Sequence, residues 1–240
     1  MNIAVIFAGG VGSRMRSKEL PKQFLVIHGK PIIVRTAELF QAHAKIDAIV
    51  ISCVSEWIAY CKELMVEHGL SKVERVVHGG STGQESIYNA LCAAEELAAG
   101  ERSIALVHDG VRPLICEKTI DDSISSVRSF GSAITCVSAK ETVVEIDGDG
   151  AVRDIPARSS IRLARAPQSF WLDEILRAHR RAIAEGRQDF VDSASMMREY
   201  GHSLHLIDGP EENIKITTPG DFFAMRAILD ARENEQIYVS

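Results

Sequence analysis

The chain has 240 residues, 46% of them hydrophobic and 25% charged, which is a globular composition and excludes disorder or a fibre. Its 33 acidic and 27 basic side chains leave a net charge of −6, against a broad nucleic-acid interface but compatible with a local basic pocket for a small anion. No run of about 18 uncharged apolar residues marks a membrane span, and the apolar start from Met1 to Ala8 lacks the basic n-region of a signal peptide, so a cytoplasmic protein is expected.

Strand-like apolar runs occur at Ile3–Phe7, Ala48–Cys53, Val73–Val77, Ile104–Val107 and Ala133–Val137, unbroken by charge except for Glu74 and Arg75 in the third. Helix-like stretches lie between them, near Ile32–Ala42, Glu56–Glu67, Glu85–Ala98 and Lys118–Arg128. The alternation predicts an α/β fold: an open, mostly parallel, twisted Rossmann-like sheet flanked by helices. Residues 1–240 are read as one domain. The pattern breaks at Lys140. From Glu141 to Ile155, two short strand-like runs surround Asp147-Gly148-Asp149-Gly150, a hairpin signal too polar for a core, so residues 140–158 are expected to project as an arm. The chain then returns through Ala166-Pro167-Gln168-Ser169-Phe170 to a helix near Asp173–Glu185. Thr218-Pro219-Gly220-Asp221 reads as a helix start, following a strand that carries Lys215. The five scattered cysteines are expected as small buried hydrophobes in a reducing compartment, and nothing near His202 and His205 completes a metal set.

Ligands of open parallel sheets bind beyond the carboxyl ends of the strands, so the loops there are where chemistry is expected. After the first strand come Ala8-Gly9-Gly10-Val11-Gly12-Ser13-Arg14-Met15 and then Pro21-Lys22-Gln23-Phe24. Glycines let backbone N–H groups approach a phosphate chain, and Arg14, Arg16, Lys18 and Lys22 outnumber Glu19. Met15 stands where a dinucleotide fingerprint needs its third glycine, and no Gly-Lys-Ser/Thr of a Walker loop is present. A polyphosphate cradle is expected, beside the plainer reading of a glycine-rich turn on a solvated basic face. Asp109, in His108-Asp109-Gly110-Val111-Arg112-Pro113, is placed to hold Mg²⁺ on a phosphate or, equally, to cap the next helix. Gly79-Gly80-Ser81 with Ser86 reads either as a ligand turn or as a plain loop into a helix.

Together the blocks AGGVGSRM (8–15), PKQF (21–24), GGSTGQES (79–86), HDGVRP (108–113), APQSF (166–170) and ENIKITTPGD (212–221) resemble the cytidylyltransferases that activate polyol phosphates with CTP. The resemblance spans nearly the whole chain. It implies transfer of CMP from CTP to a polyol phosphate, with release of pyrophosphate and a divalent cation, Mg²⁺, as cofactor. It further implies Arg14, Lys22 and Lys215 as catalytic cations. The nucleotide site would comprise Ala8, Gly9, Gly10, Gly12, Arg14, Lys22, Gly80, Ser81, Ser86 and Gly110, with Asp109 on the metal. Arg112, Thr142, Arg158 and Asp192 would hold the acceptor, Thr142 and Arg158 reaching it from the arm of a second subunit in a homodimer. Phe24, Val111 and Asp154-Ile155-Pro156-Ala157-Arg158 resemble the ribitol-phosphate branch, making D-ribitol 5-phosphate the expected acceptor and CDP-ribitol the product. The methylerythritol-phosphate branch of isoprenoid synthesis is the alternative enzyme. A non-catalytic nucleotide-binding module and a Rossmann oxidoreductase are the readings of other classes. Gly83 stands where the family usually has Arg, Val191 where Thr is common, and Ala166 in place of Thr before Pro-Gln.

Overall fold

A computed structural model describes residues 1–9 and 20–238. Gly10, Gly12 and Arg14, named above, lie outside the described residues, as do Arg16 and Lys18. In chain order the elements are β1 (Asn2–Ala8), β2 (Val26–Ile27), β3 (Lys30–Pro31), α1 (Ile32–Ala42), β4 (Ala48–Cys53), α2 (Ile58–Glu67), β5 (Val73–His78), α3 (Gly83–Ala98) and β6 (Ile104–Asp109). Then come α4 (Glu117–Phe130), β7 (Ser132–Ser138), β8 (Glu145–Ile146), β9 (Val152–Asp154), β10 (Arg162–Trp171), α5 (Leu172–Ala184), α6 (Ser193–Glu199), β11 (Leu206–Asp208) and α7 (Pro219–Tyr238).

Seven strands form the central sheet in the order β11-β7-β10-β6-β1-β4-β5. All neighbours are parallel except β10, which runs antiparallel to both β6 and β7. The β-branched runs sit where period-two alternation sends successive side chains to opposite faces. Ala4 and Ile6 of β1 join Ile49, Ile51 and Leu106 against Phe40 of α1, Leu64 of α2 and Ile124 of α4. Ile3 and Val5 join Val50 and Val107 against Leu91 of α3 and Ile175 and Leu176 of α5. Helices therefore cover both faces, and this is why the inner strands read as continuous apolar runs. Gly131 ends α4 with a φ of +86°, a conformation open to glycine at little cost.

Four expectations need correction. Residues 162–171 do not merely return the chain: they form β10, a central strand. Its exposed Arg162 and the interruption at Pro167, where the register with β7 shifts between Ala164 and Gln168, conceal a strand whose second half is buried. No strand carries Lys215, since residues 212–218 run as a loop pinned by the Ile216 N–H to Val111 O at 3.1 Å. Cys92 is half-buried and Cys116 exposed, unlike buried Cys53, Cys61 and Cys136. The hairpin is shorter than its pattern suggests: β8 and β9 pair only with each other, closed by Asp147 Oδ1 accepting from Asp149 N–H and Ala151 N–H at 3.0 and 2.9 Å. Polar side chains that find no core leave such a ribbon marginal.

Candidate active site

A cavity of about 580 Å³ opens at the carboxyl ends of β1, β4, β5 and β6. Ala8, Gly9, Lys22, Gly80, Ser81, Ser86, Asp109 and Lys215 all line it. Its floor exists because two loops approach without side chains between them. A Cβ on Gly9 would stand 2.3 Å from Ser86 Oγ, and one on Gly79 would stand 3.1 Å from the Gly9 Cα. Ser86 Oγ donates to Thr82 O at 2.8 Å and accepts from Gly80 N–H at 2.9 Å, locking the glycine turn onto the first turn of α3. Thr82 caps that helix, its Oγ1 accepting from Glu85 N–H at 3.1 Å. Glu85 in turn accepts from both N–H and Oγ of Ser81 at 2.7 Å.

At the cavity's edge Asp109, the last residue of β6, is 6% exposed and holds two cations. Arg112 Nε lies 2.7 Å from Oδ2 and Lys215 Nζ 2.6 Å from Oδ1. Burial alone would raise the Asp109 carboxyl, but the charges of Lys215 and Arg112 reverse this and bring it down to about 2. It is therefore an anion at neutral pH. The helix-capping reading of Asp109 is set aside by the same contacts: α4 starts at Glu117 after Cys116, eight positions downstream, and takes no cap from Asp109. Arg112 also donates to Asn213 O at 2.8 Å, and Asn213 Nδ2 to Ala166 O at 2.7 Å, so the loops after β6 and before α7 are tied to β10. Burial keeps neighbouring His108 neutral, its pKa lowered to about 4. Asp221 accepts from Thr217 and Thr218 N–H at 2.9 and 2.7 Å at the start of α7. Burial would raise its carboxyl, but these donors hold it low, and the charge of Lys22 helps.

A second cavity, about 350 Å³, adjoins the first and shares Phe7, Asp109 and Lys215 with it. Arg112, Arg165, Gln168 and Asp192 line it. Gln168 donates to Asp192 Oδ2 at 2.8 Å and accepts from Ala194 N–H at 2.8 Å, while Asp192 Oδ1 caps α6 through Ser195 N–H at 2.8 Å.

The described sequence candidates thus divide between the two cavities, with three exceptions. Gly110 lines neither; a Cβ there would meet Ile33 Cδ1 at 2.8 Å and Ala8 Cβ at 3.0 Å, so it serves close packing beneath the site. Thr142 and Arg158 also line neither, and face one another on the arm with Arg158 Nη2 3.4 Å from Thr142 Oγ1. Sequence reasoning assigned nothing to Gln23, Gln168 and Asn213, three buried amides that bridge the motif loops; Gln23 Nε2 donates to Ala8 O at 2.7 Å. Their signal was position, since each lies inside a block already singled out.

No group of three His, Cys, Asp or Glu side chains gathers among the described residues. Asp109, ionised, and Glu56 line the first cavity together with Lys22 and Lys215. This fits Mg²⁺, which is commonly held by one or two carboxylates with phosphate and water oxygens completing its shell.

Residues 2–231 match the family model described as IspD: 2-C-methyl-D-erythritol 4-phosphate cytidylyltransferase. A ribitol-5-phosphate cytidylyltransferase of Streptococcus agalactiae serotype III is 52% identical over 238 residues, 99% of each chain. A 2-C-methyl-D-erythritol 4-phosphate cytidylyltransferase of Clostridium novyi is 35% identical, covering 95% of this chain and 96% of its own. Among solved structures, 4-diphosphocytidyl-2C-methyl-D-erythritol synthase from Anaerococcus prevotii shares the fold with a TM-score of 0.80 at 24% identity, over 95% of this chain and 98% of its own.

Proposed function

Because the chain belongs to the IspD family of cytidylyltransferases, we propose that it transfers CMP from CTP to D-ribitol 5-phosphate, giving CDP-ribitol and pyrophosphate. The acceptor rests on one observation: identity of 52% to a ribitol-5-phosphate enzyme against 35% to a methylerythritol-phosphate enzyme, each over nearly the full chain.

An acceptor phosphate oxygen attacks the α-phosphorus of CTP. The bond from that phosphorus to its bridging oxygen breaks, and the oxygen leaves with the electron pair as pyrophosphate. A phosphate dianion is nucleophilic without a general base, so the protein's task is positioning and charge stabilisation. Ala8, Gly9, Gly10, Gly12 and Ser81 would cradle the nucleotide, Gly80 and Ser86 presenting polar groups to the cytosine edge. Lys22, Arg14 and Lys215 would stabilise the negative charge that builds on the transferring and leaving phosphates. Asp109 would hold Mg²⁺, which supplies further neutralisation of the triphosphate when bound. Arg112 and Asp192 would hold the acceptor in the second cavity. The 140–158 arm would cross to a second subunit, with Thr142 and Arg158 meeting the partner's acceptor. Among the described residues no helix is long and apolar enough to cross a membrane, and both substrates are water-soluble, which supports a cytoplasmic enzyme.

Pyrophosphate release from CTP with purified D-ribitol 5-phosphate and, separately, 2-C-methyl-D-erythritol 4-phosphate tests the assignment. Higher kcat/KM with ribitol 5-phosphate is the expected result. A preference for the methylerythritol compound would replace it.

A further inference from the structure

Arg165 is a cation with no counter-ion among the described residues. It lies on β10, immediately before Ala166, and lines the second cavity together with Arg112 and Lys215. Its Nε is buried with no hydrogen-bond partner, and no described carboxylate pairs with the guanidinium. The other cations of the cavity are satisfied, because Asp109 takes both Arg112 and Lys215. Arg165 also borders a shallower groove of about 240 Å³ at the base of the arm, lined by the acids Glu141 and Glu211; Glu211 is engaged by Lys140, and neither acid forms an ion pair with Arg165. Burial, and then the charge of Arg112, both lower the Arg165 guanidinium from its ordinary value. Arg112 and Arg165 are neighbouring guanidiniums, and of the two only Arg112 is paired with a carboxylate, that of Asp109.

A partly buried charge without a partner costs desolvation that a ligand binding there can offset. Guanidinium also matches phosphate geometrically, offering parallel N–H donors that a lysine lacks. We propose that Arg165 binds the phosphate group of the acceptor from within its own subunit, beside Arg112 and facing the Asp109–Lys215 pair. This deepens the polyol-phosphate reading above and rests on it for the identity of the acceptor. It gives the second cavity a charged end, next to the nucleotide cavity, and a hydroxyl-binding end at Asp192. A polyol lacking its phosphate would lose the former.

Steady-state kinetics and calorimetry on Arg165→Gln and Arg165→Lys test this. For Arg165→Gln the KM for the acceptor should rise about tenfold or more, the cost of one charge-assisted hydrogen bond, with the KM for CTP unchanged. Arg165→Lys should recover part of the loss, since the charge remains. The melting temperature of Arg165→Gln should equal or exceed that of the parent protein, because the side chain removed has no partner of its own. Inorganic phosphate, titrated calorimetrically into enzyme saturated with a non-hydrolysable CTP analogue, should bind the parent protein and bind Arg165→Gln about tenfold more weakly. Equal phosphate affinity in both proteins overturns the inference, as does a lowered melting temperature with the two KM values rising together. The calorimetric arm needs no turnover. If ribitol 5-phosphate proves not to be the acceptor while phosphate binding still depends on Arg165, the acceptor assignment fails and this inference stands.

Discussion

Lys215 Nζ stands 2.6 Å from Asp109 Oδ1 at the line where the two cavities meet. One residue ends the central strand β6 and the other sits in the loop before the last helix, so their contact closes the site only when the chain has folded. Asp109→Asn keeps the shape and removes the charge. Activity should fall by about 100-fold or more, the scale on which preorganised charges act, and the Mg²⁺ concentration giving half-maximal rate should rise. Titrating Mg²⁺ against rate in both proteins checks this.

The same pair gives an acid limb to stability. The folded carboxyl is held down to about 2, against about 4 in an unfolded chain. Its contribution is therefore complete above pH 4 and lost as pH falls from about 4 to 2. Urea midpoints measured across that window should slope less steeply for Asp109→Asn than for the parent.

Two buried histidines act in a higher window. Burial pushes both His108 and His179 down to about 4, whereas unfolded histidine titrates near about 6.5. Above that value both states are neutral. Between about 6.5 and 4 the unfolded chain takes up protons first, so stability should decline as pH falls through this range. Neither ring nitrogen of His179 has a partner. His179→Leu should thus stay within about 1 kcal/mol of the parent at pH 7.5 and show a visibly shallower decline in denaturation midpoint from pH 6.5 to 4.

Gly9→Ala should strike folding and nucleotide affinity together. Its Cβ would overlap Ser86 Oγ, which two hydrogen bonds hold in place. Separating the loops should cost about 1–3 kcal/mol and raise the KM for CTP. A melting curve and a CTP saturation curve suffice, and an unchanged pair of values would contradict the close approach.

If Lys22 acts in the first cavity as proposed, Lys22→Ala should lower kcat by about 100-fold or more with little change in melting temperature. If most of kcat survives, the role given to Lys22 is wrong. Arg158→Ala should be nearly inactive as well. If the proposed homodimer shares its sites, the two inactive proteins, mixed after dissociation, should regain roughly a quarter of the parental site activity, because a hybrid dimer would have one site with both residues intact. Hybrid dimers without recovered activity would return Arg158 to its own subunit.

By itself the sequence determined the local layer of this protein. Unbroken β-branched runs placed β1, β4, β6 and β7, and β4 ends where the pattern ends, because burial on both faces leaves no polar positions to blur the boundary; β5 was placed as well, but it is an edge strand whose Glu74 and Arg75 are exposed. The glycine and charge blocks likewise marked the loops that face the cavities. Tertiary structure alone decided β10, whose arginines and Pro167 suit a strand only between β6 and β7, and the loop rather than strand around Lys215. It alone also removed the helix-cap reading of Asp109 and gave that residue its partners near and far along the chain, Arg112 and Lys215. The bridging of Gln168 to Asp192 and of Asn213 to Ala166 was equally illegible. Propensity and periodicity are properties of neighbours in sequence, whereas a buried ion pair or amide bridge is defined by what packing brings beside it.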